Sequence, residues 1–175
     1  MRMIPAGMLA LALLGAGYPD EIQRWRAQRE AALRADGGWL TVTGLFWLRE
    51  GNNPFGADPA NPVVLPLGAG PAQAGVFELR GGKVTAVVNG SRRELHPNSP
   101  DAVTMGSVRL YAIQRGGRFG IRMKDANSKL RREFHGLRWF PPDPAWRITA
   151  RFVAEPRKLA IANVLGQTEQ QDCPG

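Results

Sequence analysis

Cysteine is nearly absent from this chain. The one thiol, Cys173, rules out a disulfide scaffold, and no CxxC or HxxxH spacing joins it to His96 or His135 as a zinc site would require. Lysine is scarce too, and no run of Lys or Arg exceeds two residues, so a polybasic tail is excluded. No apolar run approaches the ~20 residues that span a bilayer. The GxSxG nucleophile elbow is missing. Gly68, Gly70 and Gly75 fit neither the dinucleotide nor the P-loop spacing, and Ser91, Ser99, Ser107 and Ser128 each sit beside a turn signal.

What is present suffices for one domain: 175 residues, 43% of them hydrophobic and 22% charged, which supports a core and argues against wholesale disorder. Lys plus Arg number 23 against 15 Asp plus Glu, a net charge of +8, with most of the excess after residue 100. That balance admits anionic partners, while the Arg preference beside abundant Gly, Ala and Pro also fits a GC-rich genome. It implies no specific nucleic acid.

Arg2, the apolar Met8–Leu14 and the small residues Gly15, Ala16 and Gly17 form the pattern of a signal peptide, residues 1–17, cut before Tyr18. An exported, periplasmic or extracellular protein without a stable membrane anchor is expected. Pro19, Asp20 and Glu21 then open an amphipathic helix that Gly37 and Gly38 close, with Ile22, Trp25, Ala32 and Leu33 on its inner face.

Beyond residue 38 the periodicity changes to two. Runs at 39–48, 63–66, 75–80, 83–88, 107–114, 118–124, 146–153 and 159–164 predict short strands. Gly81-Gly82 and Gly116-Gly117 predict two tight hairpins. The expected fold is mainly β, an antiparallel sandwich or open barrel over 38–175 with one N-terminal helix within 18–37.

The strings WRAQREAALRADGGWLTVTGLFWLREGNNPFGADP, RGGRFGIRMKD and FHGLRWFPPDPAWRITARF resemble the domain of unknown function 1684 family over about residues 21–170. The resemblance implies export but no agreed activity. Family members continue into a second half with an Asn-Pro-Pro-Cys-like motif, so a chain ending at Gly175 is expected to be a truncated copy with an incomplete β domain. The run GNNPFGADPANPVVLP is similar to the opening of forkhead-associated domains, which bind phosphothreonine. Ala57 follows Gly56, however, and no Ser-x-x-His occurs, so the similarity implies sandwich geometry alone.

Alternation in 118–124 sets Arg118, Arg122 and Lys124 against Phe119, Ile121 and Met123; in 146–153 it sets Arg147 and Arg151 against Trp146, Ile148 and Phe152. If both runs share a sheet, these cations and Arg115 form one face suited to an anionic small molecule, polysaccharide or headgroup. A solvated surface is the plainer reading. Trp39 and Trp47 can share a strand face as a sugar platform or pack in the core.

Glu133 and His135 share a strand face if that segment is extended, and with Asp125 or Asp143 they offer an acid-base or metal corner. The expectation is therefore a non-catalytic binding module, with no cofactor or metal implied. Its alternatives are a hydrolase-like enzyme using Arg115, Arg118, Asp125 and His135 together with a missing half, and a fragment without function.

Overall fold

A computed structural model describes residues 17–163 and 166–174; the expected signal sequence, apart from Gly17, lies outside them. Helix α1 spans Tyr18–Arg34, with Pro19 in its first turn and Asp20 and Glu21 beside the free N–H groups, where the helix dipole favours negative charge. Eleven strands follow: β1 (Val42–Trp47), β2 (Gly51–Gly56), β3 (Val63–Val64), β4 (Gly75–Arg80), β5 (Lys83–Val88), β6 (Ser91–Leu95), β7 (Val103–Met105), β8 (Val108–Arg115), β9 (Arg118–Asp125), β10 (Arg157–Ala162) and β11 (Thr168–Cys173). A single-turn helix, α2, covers Lys129–Arg132.

The strands form a five-stranded sheet, β3-β2-β4-β5-β6, a four-stranded sheet, β1-β9-β8-β7, and a separate β10-β11 ribbon. One core joins the two larger sheets. Phe55, Phe77, Val84 and Leu95 meet Val108, Leu110, Ile121 and Met123, all at most 4% exposed, so alternate residues of both sheets turn inward as a sandwich requires. The sheets do not close into a barrel, and every strand pair except the parallel β2-β3 is antiparallel.

Both hairpins form as expected. Gly81 and Gly82 have φ of 55° and 78°, and Gly116 and Gly117 have 50° and 76°, a left-handed pair that side chains with a Cβ rarely adopt. Buried Asn53 had no role in the sequence reading, yet it ties the β1-β2 connection together. Its Oδ1 accepts from Arg49 N at 2.9 Å, and its Nδ2 donates to Arg49 O at 2.8 Å and Phe77 O at 3.2 Å.

Three expectations need correction. The less exposed side of α1 consists of Ile22, Arg26, Glu30 and Leu33, while Trp25 is 54% exposed. The reason is the partner: α1 is flanked by the 134–147 segment, which offers carbonyls, N–H groups and the Trp139 indole, and Trp25 meets that indole edge-on at 5.5 Å while staying half exposed. Glu30 Oε1 accepts from Leu137 N and from Trp139 Nε1, both at 3.0 Å, and Arg26 Nη2 donates to Phe140 O at 2.5 Å.

Second, residues 147–156 form no strand. A 3-10 turn at Pro144–Trp146, capped by Asp143, precedes them, and no neighbouring strand takes up their alternation. Ile148, Phe152 and Val153 consequently stand 85%, 68% and 65% exposed. Third, the expected strand runs end at 159–164, yet the polar Thr168–Cys173 forms a further strand and pairs in full register with β10.

Candidate functional site on the outer face of the four-stranded sheet

Pairing between β8 and β9 sets four rungs on the face turned away from the core: Arg109 opposite Lys124, Tyr111 opposite Arg122, the buried pair Ile113 and Gly120, and Arg115 opposite Arg118. Five cations therefore share one face of one hairpin. Among the described residues no ion pair links any of the five to a carboxylate.

The other sheet differs. There Arg92 makes a two-pronged bond to Glu78, at 3.1 and 2.6 Å, and this bond, with Arg80 adding to it, holds the Glu78 carboxyl below its ordinary pKa. Like charges placed directly opposite on neighbouring strands are destabilising. The four-stranded sheet keeps two such pairs, Arg109 with Lys124 and Arg115 with Arg118, without an ion pair to either among the described residues.

Aromatic rings lie between these cations. Trp47, opposite Gly120 on β1, is overlaid by the Arg118 guanidinium at 4.3 Å; Arg122 lies 5.8 Å from the Trp39 ring, and the Lys124 ammonium 5.6 Å from that of Tyr111. Gly120 makes the first contact possible. A Cβ there would come within 3.0 Å of both Trp47 Cε3 and Phe46 O, so a side chain at this position would have to displace the indole or the carbonyl by a few tenths of an ångström, and glycine lets the indole settle onto the sheet. Trp39 reaches the same face from a 3-10 turn, with 66% of its surface exposed.

Two cavities open on this face. The first, about 420 Å³, is lined by Leu45, Trp47, Ile113, Arg115 and Arg122 and, from the β10-β11 ribbon, by Ala162, Asn163 and Glu169. The ribbon turn is set against the β8-β9 turn: a Cβ on Gly116 would lie 1.9 Å from Gln167 Oε1. The second, about 240 Å³, lies at the other end of the hairpin and includes Asp36, Ser99, Arg109, Tyr111 and Lys124. Arg115 is held by Asn98 Oδ1 at 3.2 Å, and Lys124 donates to Gly37 O at 2.5 Å.

No family model, curated protein or solved structure matches the chain.

Of the cations expected on a common face, Arg115, Arg118, Arg122 and Lys124 are brought together by the β8-β9 hairpin. Arg147 and Arg151 are not. Arg147 lies over the Tyr18 ring at 5.7 Å, at the N-terminal end of α1, and Arg151 is exposed within the strandless 147–156 segment. Arg109 joins the four instead, set on the same face by the expected β8-β9 hairpin, while residues 146–153 enter no sheet. The signal for Arg109 was legible in the alternation of Arg109, Tyr111, Ile113 and Arg115.

The acid-base candidates do not converge with these arginines. Asp125 ends β9 and lies about 23 Å along the strand from Arg118, at roughly 3.3 Å per residue. Its carboxylate is buried and already engaged: Oδ1 accepts from Ser107 Oγ at 2.6 Å and from Asn127 N at 2.8 Å. Glu133 is exposed and pairs loosely with Lys129 at 3.9 Å; His135 is exposed on the extended segment beside α1. Among the described residues no three His, Cys, Asp or Glu side chains gather as a metal site would require.

Proposed function

We propose that this protein is an exported, non-catalytic β module of the domain of unknown function 1684 family that binds an anionic, sugar-containing ligand on the outer face of its four-stranded sheet. One observation carries the reading: Arg115 and Arg122 line a single cavity of about 420 Å³ on a face whose five cations have no carboxylate partner among the described residues. An arriving carboxylate or sulfate gains charge-assisted bonds from guanidinium forks and relieves the repulsion between them. Leu45, Trp47 and Ile113 supply an apolar wall against which the carbon skeleton of the ligand rests, and Glu169 supplies an acceptor for its hydroxyls.

Calorimetric titration of the purified chain with galacturonate and with neutral galactose tests this. Galacturonate should bind at least tenfold more tightly, with an affinity that falls as salt rises. Arg122→Gln should weaken it by about tenfold, the loss expected for one hydrogen bond to a charged group. Equal affinity for the acid and the neutral sugar would overturn the reading.

A further inference from the structure

We infer that this face is a track for a linear acidic polysaccharide rather than a pocket for a single sugar, an inference that rests on the anion-binding reading above. The two cavities belong to one hairpin and share its solvent side. One holds Arg115 and Arg122, the other Arg109 and Lys124, and the Tyr111–Arg122 rung lies between them. Successive rungs on a strand face are about 6.6 Å apart, twice the rise per residue. From Arg115 to Arg109 the cationic row therefore runs about 20 Å, with Arg122 two rungs, about 13 Å, from Arg115 and one rung from Arg109. A single sugar acid spans only part of that length, whereas a chain with repeated carboxylates meets charge at both ends.

The rings decide between polymer classes. Binding of single-stranded nucleic acid relies on aromatic rings open to base stacking. Here Arg118 covers Trp47, which also has Gly120 beneath it, and Lys124 lies over Tyr111, so that Trp39, 66% exposed, is the one open ring of the three, whereas successive bases need a succession of them. What the face presents is positive charge together with acceptors and hydroxyls, Glu169 in one cavity and Ser99 in the other. That combination fits a polymer bearing one carboxylate and several hydroxyls per unit.

The test titrates the full chain with mono-, di- and tetragalacturonate, and with an oligothymidylate, at one fixed low salt concentration. Affinity should rise on the order of a hundredfold from monomer to tetramer as a second subsite is engaged without a second association cost. Arg109→Glu should abolish that gain; Arg109 is exposed at the far end of the track, so circular dichroism should report an unchanged fold. Equal affinity for every length would overturn the track and leave the single-cavity reading standing. Failure of all galacturonates to bind would remove both. An oligothymidylate binding as tightly as the tetramer would overturn the assignment to polysaccharide.

Discussion

Arg115 stands directly opposite Arg118, on the two sides of the Gly116-Gly117 turn, and neither forms an ion pair among the described residues, although Glu169 lines the same cavity as Arg115. Two guanidinium groups in that position lower the stability of the hairpin they flank. Converting one of them separates stability from binding. Arg115→Glu should raise the thermal midpoint by about 1–3 °C while weakening galacturonate binding at least tenfold. Differential scanning calorimetry and titration of the same sample measure both. A fall in midpoint would show that the pair is not a source of repulsion.

Gly120 determines how Trp47 lies. Gly120→Val adds bulk where even a single Cβ would meet the indole and the Phe46 carbonyl at 3.0 Å. Overpacking of this kind costs about 1–3 kcal/mol. The variant should be destabilised by that amount in urea, and its tryptophan emission should shift to the red as Trp47 is lifted into water. Unchanged emission would mean that Trp47 does not depend on the gap.

Glu30 fastens the 134–147 segment to α1. Hydrogen bonds from the Leu137 N–H, and then from the Trp139 indole, hold its carboxyl below the ordinary value, and Arg34 adds to the effect. A carboxyl whose pKa is lower in the folded state stabilises the fold above its unfolded value, about 4.3, and loses that contribution as pH falls through the folded value. Fluorescence of the tryptophans followed from neutral pH downward should show the segment releasing only below the ordinary glutamate range. Glu30→Gln should remove that step; an identical acid profile in wild type and variant would sink the assignment.

Asn53 is the polar residue whose loss should cost most. Asn53→Leu strips a buried site of the acceptor for Arg49 N and the donor for Phe77 O. Leaving such groups without partners costs about 1–3 kcal/mol each, so the urea midpoint should fall by an equivalent of roughly 2–4 kcal/mol. A change of under 0.5 kcal/mol would mean that water replaces the amide.

Where local rules suffice, the sequence was legible. The Gly-Gly hairpins fix β4 with β5 and β8 with β9 because a two-residue turn with positive φ sets both the register and the strands. The missed elements lack such a rule. β2, with the sequence GNNPFG, looks like a loop, and it is a strand because Asn53 and Phe55 are buried against β4. β6, SRREL, has a single buried residue, Leu95, and β11 has no apolar face, so neighbouring strands rather than composition make them extended. Residues 146–153 show the reverse: clean alternation without a neighbour to pair with.

By itself, the sequence determined a β-rich chain behind one N-terminal helix, the two tight hairpins, and the row formed by Arg118, Arg122 and Lys124, since each of these follows from turn chemistry or side-chain parity within a few residues. Tertiary structure alone decided that β1 is the second neighbour of β9 and that residues 147–156 pair with no strand, which leaves Arg147 and Arg151 off the cationic face. It also decided that Asp125 is bound to Ser107 instead of standing free as an acid. Strand neighbours are chosen by burial summed over the whole sandwich, a non-local quantity that no window of sequence contains.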